Sequence, residues 1–152
     1  MIRVVVAGNF FPLHDGHIDH LEKARKLGSY LIVIIGSDEY LRMRNKPVFL
    51  SLENRKKQLR AWTDEVIEVV DKDGTCAKTL EMVRNFFPND KLKFAKGGDR
   101  TPDNMPENEI KVCEELGIQI EYGVGDQLNS SSELVRRIRG GENEQTTSYP
   151  KN

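Results

Sequence analysis

Apolar residues fall into short continuous runs separated by stretches with helical spacing. Ile2 to Ala7, Tyr30 to Ile35, Val66 to Val70, Lys91 to Ala95 and Ile118 to Tyr122 read as five strands. Residues 16–27 put Ile18, Leu21 and Ala24 on one helical face, with Gly28 predicted as the C-terminal stop. Further helices are predicted from a Ser51 cap to about Ala61, from Thr75 to Phe87 with Pro88 ending it, and from Pro106 to Leu116 with Gly117 stopping it. A last helix is predicted from Ser130 to Arg139, closed by Gly140-Gly141.

Strands alternating with helices imply a parallel sheet covered on both faces, and Tyr30 to Ile35 is continuously apolar as such burial requires. Alternation with helices then predicts an α/β, Rossmann-like, doubly wound five-stranded parallel sheet in three layers. One domain is expected over residues 1–140, with 141–152 as a polar, flexible tail. Ligands of such sheets bind at the carboxyl ends of the strands, near the switch in strand order. The loops after strands one, two, four and five are therefore where chemistry is expected.

Composition narrows the partners. The chain has 152 residues, 38% of them hydrophobic, and 23 Lys and Arg against 24 Asp and Glu. With no basic excess, no nucleic-acid partner is expected. No apolar run approaches the length of a membrane span, and the opening strand is too short for a signal peptide. Cys76 and Cys113 form no CxxC pair and have no histidine at zinc-site spacing, so two reduced thiols in a cytoplasmic protein are expected.

The loop after strand one, Gly8-Asn9-Phe10-Phe11-Pro12-Leu13-His14-Asp15-Gly16-His17, carries two of the three histidines, with His20 one turn further on. Gly8 permits close backbone approach to a ligand. Gly16 opens a helix whose free amides and dipole favour an anion. His14 and His17 flank that position and can donate hydrogen bonds to phosphate oxygens. A metal would want more ligands than the nearby Asp15 and Asp19 supply, so no metal site is assigned to these histidines. His20 is read as structural. Ser130-Ser131-Ser132 opens the last helix, and three hydroxyls at a helix N-terminus exceed what one N-cap needs, so they read as a second anion site with Arg136 one turn on. Arg42, Arg44 and Lys46 read as a basic loop after strand two, while Gly97-Gly98-Asp99 ends strand four. Trp62, at a helix end, reads as core.

Gly8-x-Phe10-x-Pro12-x-His14-x-Gly16-His17, lying between a strand and a helix, resembles the HxGH motif of the cytidylyltransferase-like nucleotidylyltransferases. Ser37-Asp38-Glu39, Glu53-Asn54-Arg55, Lys96-Gly97-Gly98-Asp99 and Ser130 to Ser132 are similar to further motifs of that family. The glycerol-3-phosphate cytidylyltransferase and heptose-phosphate adenylyltransferase branches come nearest, and the resemblance covers residues 2 to about 139.

The resemblance implies transfer of a nucleoside monophosphate from a triphosphate to a small phosphate monoester, with release of pyrophosphate. His14, His17, Lys46 and Ser131 would be catalytic. Gly8, Asn9, Phe10, Gly16, Gly98, Asp99, Ser130 and Ser132 would bind the nucleotide, and Arg44, Arg55 and Arg136 the phosphorylated alcohol or sugar. Mg²⁺ would accompany the triphosphate, and a homodimer is expected.

The spacing from Asp38 to Arg55 fits the cytidylyl branch, so CTP is favoured. KGGD fits the adenylyl branch, so ATP with a sugar phosphate is the alternative. The chain departs from the family at Phe11, where many relatives carry Asp, and at Gly125 to Asn129, which lacks the Arg of the cytidylyl R-T-x-G-I segment. The polar loop Arg100 to Glu109 is assigned either to the second substrate or to a dimer contact. A non-catalytic nucleotide sensor is the rival of another class. A dinucleotide redox domain is disfavoured, because Gly8 is not followed by the G-x-G-x-x-G turn.

Overall fold

A computed structural model describes residues 1–8, 15–43, 51–98 and 100–125. They form β1 (Ile2–Ala7), α1 (Asp15–Arg25), β2 (Tyr30–Ile35), α2 (Asp38–Met43), α3 (Leu52–Leu59), β3 (Glu65–Glu68), α4 (Ala77–Phe86), β4 (Lys91–Ala95), α5 (Glu107–Leu116) and β5 (Gln119–Glu121). All strand pairs are parallel, in the order β3-β2-β1-β4-β5. The order reverses between β1 and β4, which makes the crevice beyond their carboxyl ends the switch point. The helix expected over residues 130–139 and the tail lie outside the described residues.

The period-2 rule sorts the strand side chains into two cores. Val4, Val6, Leu31, Val33, Ile35 and Ala95 pack with Leu21 and Ala24 of α1 and Leu59 of α3. Val5, Ile32, Ile34, Leu92 and Phe94 face the other way, against Leu80 and Val83 of α4 and Cys113 of α5. Trp62 packs against the first core, as its position suggested. The edge strands β3 and β5 are shorter and only half covered.

Two local expectations change. The segment read as a basic loop begins with α2, so Arg42 lies in a helical last turn, opposite Asp38 and Glu39 in the first. That order of charge suits the helix dipole. The turn following α1 does not use Gly28 as a left-handed cap. Gly28 is instead required by close packing, since a Cβ there would sit 2.6 Å from the Ile2 carbonyl oxygen and 2.9 Å from Val4 Cγ2. Gly117, by contrast, ends α5 in the left-handed conformation at φ 69°.

The start of α4 is capped from a distance rather than by its own N-cap side chain, Cys76. Asp71 accepts from Lys78 N (2.7 Å), Thr79 N (3.0 Å) and the Thr79 hydroxyl (2.6 Å). Glu109 of α5 accepts from Cys76 N at 3.0 Å. Both carboxylates are buried. Asp71→Ala strips three donors at once, two of them orphan helix amides. It is expected to lower stability by about 2–4 kcal/mol. Urea denaturation checks this, and a loss below about 0.5 kcal/mol would show that water replaces the carboxylate there.

Candidate active site

The opposite edge of the sheet is closed by structural pairs. Arg3 lies between the rings of Tyr30 and Phe87, at 4.4 and 3.7 Å, and its Nε donates to Asp90 at 2.7 Å. Arg25 makes a two-pronged contact with Asp64, whose carboxyl is held below its usual range by that hydrogen bond.

Gly8 leaves β1 exposed, with its N–H still on the Ile34 carbonyl at 3.0 Å. The β1–β4 register pairs Val5 with Phe94, and the two neighbouring strands run in parallel to their ends at Ala7 and Ala95, just before Gly8 and Lys96-Gly97. The half-buried Gly16 and His17 occupy the first turn of α1. A helix start beyond the carboxyl ends of the strands is the kind of place that favours a phosphate. The amides opening α4 cannot serve that purpose, because Asp71 and Glu109 already occupy them. Two carboxylates at that helix start would also repel an anion.

Arg55 is 1% exposed, although it was expected on a helix facing substrate. From α3 its Nη1 donates to the Gly36 carbonyl at 2.6 Å and its Nη2 to Asp38 Oδ1 at 2.8 Å. It thereby ties α3 to the exit of β2, the strand whose loop continues toward Arg44 and Lys46. A rigid guanidinium fork suits two acceptors at a fixed spacing.

At the exit of β4, Lys96 is half-buried, its ammonium 4.4 Å from the centre of the Phe94 ring. Burial pulls its pKa down, and the charge of Glu109 works against that pull. Beneath it lie two free, buried thiols. Burial, then the Glu109 carboxylate, pushes Cys113 up to about 12 and Cys76 higher still. Both are neutral thiols at physiological pH and not nucleophiles. The loop from Arg100 is partly structural: Thr101 and Asn104 form a capping box, and Met105 is buried.

The sequence profile of the cytidylyltransferase-like family matches residues 5–137. The chain belongs to the cytidylyltransferase-like family. It is similar to the FAD synthase of Methanolacinia petrolearia, 54% identical over 152 aligned positions that cover 91% of this chain and 90% of that protein. It is also similar to the glycerol-3-phosphate cytidylyltransferase of Bacillus subtilis, 44% identical over 69 residues, 44% of this chain and 54% of that one. Among solved structures, the lipopolysaccharide core biosynthesis protein of Thermoplasma volcanium superimposes with a TM-score of 0.63 at 26% identity, over 85% of this chain and 99% of that one. The chain is a nucleotidyltransferase of this family.

As a cytidylyltransferase-like protein, the chain presents Gly8, Gly16, His17 and Gly98 at the carboxyl edge of its sheet. Asn9, Phe10, His14, Arg44, Lys46, Asp99, Ser130, Ser131, Ser132 and Arg136 lie outside the described residues. Two contacts of the edge were missed in the sequence. Asp38 was noted as part of a family segment, but its pairing with Arg55 was not drawn. His20 was set aside as structural without a partner, yet its Nδ1 lies 2.6 Å from the Val124 carbonyl. The closely spaced Gly123 and Gly125 were the available sign that chain passes close to a helix there.

Proposed function

We propose that this protein transfers AMP from ATP to the phosphate of FMN, forming FAD and pyrophosphate. The observation that carries this is the 54% identity to an FAD synthase over nine-tenths of both chains. The likeness to a cytidylyltransferase is limited to less than half of this chain. FMN also fits the acceptor class read from the sequence, since its phosphate ends a polyol chain. An oxygen of that phosphate attacks the α-phosphorus of ATP, the bond from that phosphorus to the bridging oxygen of the β-phosphate breaks, and pyrophosphate leaves. The attacking group is already an anion, so no protein nucleophile is needed, in keeping with the neutral buried thiols.

Catalysis then rests on positioning and charge stabilisation. His14 and His17 donate to the α- and β-phosphate oxygens, and Lys46 balances charge as it develops. Gly8, Asn9, Phe10 and Gly16 cradle the phosphates, while Gly98 and Asp99 meet the base or ribose. Ser130, Ser131 and Ser132 hold the departing pyrophosphate. Arg44 and Arg136 serve the acceptor phosphate, while Arg55, buried on the Gly36 carbonyl and Asp38, holds the exit of β2. Mg²⁺ would supply charge neutralisation on the triphosphate oxygens. Among the described residues no three His, Cys, Asp or Glu side chains converge on a metal.

The test is a grid of ATP or CTP against FMN or glycerol 3-phosphate with Mg²⁺, read by pyrophosphate release and chromatography of the product. FAD from ATP and FMN alone is expected. Turnover confined to CTP and glycerol 3-phosphate would support the cytidylyl reading, and no pyrophosphate from any pair would support a sensor. ATP at about 100 times its dissociation constant is expected to stabilise the protein by about 2.7 kcal/mol, seen as a raised Tm that CTP at the same concentration does not match.

A further inference from the structure

Two charged side chains from different elements border one apolar cluster. Phe94, Cys76, Cys113 and Met105 are buried together. Lys96 follows Phe94 by two positions and lies on the same face of the sheet, its ammonium 4.4 Å from the ring centre. Its backbone is fixed on both sides. Its N–H donates to the Glu121 carbonyl at 2.8 Å, and its carbonyl accepts from Val124 N at 2.9 Å. The Glu121 carboxylate is paired with Lys93 instead, at 3.9 Å. Among the described residues, no carboxylate lies within ion-pair distance of the Lys96 ammonium. Glu109 of α5 is 5% exposed. Its Oε2 accepts from Cys76 N at 3.0 Å and from the Cys76 thiol at 3.5 Å, while Oε1 is buried with no hydrogen-bond partner among the described residues. A carboxylate out of water with one oxygen unserved needs charge compensation from further off. Asp71, buried at the same helix start, adds a second negative charge rather than relieving the first.

We infer that Glu109 is a positioning residue whose buried charge keeps Lys96 a cation at the exit of β4, where the ammonium, engaged in no direct ion pair, can meet a phosphate of the substrate. The other groups whose charge acts on Lys96 cannot take that part. Cys76 and Cys113 are neutral thiols, and Arg100, from the loop after β4, is a second cation. Burial pulls the pKa of Lys96 down, Arg100 adds to the fall, and Glu109 is the foremost group opposing it. A half-buried lysine without that carboxylate loses its proton at lower pH. A direct ion pair would hold the ammonium charged as well, but would spend its donors on the carboxylate. Acting from a distance leaves them for a ligand. The inference rests on the nucleotidyl-transfer reading for the phosphate, but not for the coupling of the two charges.

The test follows the Lys96 amine by NMR in the nucleotide-free full chain with isotope-labelled lysine, its signal assigned by its loss in Lys96→Arg. In Glu109→Gln, whose amide oxygen can still accept from Cys76 N, Lys96 is expected to hold its proton about tenfold more weakly than in the wild type. A change below about twofold would overturn the coupling. Urea midpoints read the same coupling without titration. Glu109→Gln is expected to shift the midpoint less in a Lys96→Met background than in the wild type, and equal shifts would overturn it. The kinetic readout is the pH profile of kcat/KM for FMN at saturating ATP. Its alkaline fall is expected to begin about one pH unit lower in Glu109→Gln. Adding Lys96→Arg, which stays charged across that range, is expected to remove the difference. A profile unmoved while the Lys96 titration moves would make the lysine a structural counter-ion and overturn its contact with substrate. If the wild type releases no pyrophosphate while the titration still moves, the proposed function fails and the coupling stands.

Discussion

His17→Ala is expected to lower turnover by about 10²–10³-fold or more while leaving the melting temperature within a few degrees of the wild type. The residue sits in the first turn of α1, so the substitution removes an imidazole without disturbing the helix that follows, and Ala is the strongest helix former. On the proposed mechanism, what is lost is a donor to the phosphate where charge builds as pyrophosphate departs. A group that helps mainly in the transition state lowers kcat and kcat/KM together and leaves KM for the nucleotide little changed. Initial rates of pyrophosphate release, with ATP varied at saturating FMN, separate these terms. Turnover retained within about threefold would take the imidazole out of the mechanism. A raised KM with unchanged kcat would make His17 a ground-state binder only.

The parts of this molecule legible in the sequence are those set by continuous local pattern. β1 and β2 are six-residue, largely apolar runs, and their bounds were read correctly although Arg3 interrupts the first of them. Gly117 and Pro88 marked helix ends for reasons of backbone geometry alone. By contrast, α2 was hidden because six residues, half of them charged, make too short a periodic window. Its support is the N-terminal acid and C-terminal base, a weak signal in isolation. Gly28 was misjudged because a glycine after a helix looks the same whether it serves a left-handed cap or a close contact, and only the neighbouring strand decides which.

The site divides in the same way. Gly16 and His17 could be placed because motif and element coincide. The pairs Asp71 with α4, Glu109 with Cys76, and His20 with Val124 join residues that are far apart in sequence or lie on different elements. No periodicity connects them, and a lone buried acid or histidine gives no indication of which amide or carbonyl will satisfy it. Burial forces some partner to exist, because an unpaired polar group in the interior is costly. Topology chooses the partner.

Arg55→Leu should destabilise the protein by about 3 kcal/mol. The guanidinium is 1% exposed and donates to two acceptors, the Gly36 carbonyl at 2.6 Å and Asp38 at 2.8 Å. Leucine leaves the buried Gly36 carbonyl without that donor and Asp38 without its counter-charge. The side chain of Asp38 is 31% exposed, so water offsets part of the loss, which places the expectation at the lower end for a broken buried pair. Arg55→Lys keeps the charge but presents a point donor that cannot span both acceptors in the fork geometry, and about half the loss is expected. Asp38→Asn combined with Arg55→Leu closes a double-mutant cycle by denaturant unfolding, and a coupling near zero would mean that the carbonyl, not the carboxylate, holds the guanidinium. Kinetics then separates the two roles of this residue. If Arg55 acts by fastening α3 to the β2 exit, Arg55→Leu lowers stability and activity together, and Arg55→Lys restores both in proportion. If it touches the acceptor phosphate as well, KM for FMN rises in Arg55→Lys by more than its stability loss accounts for.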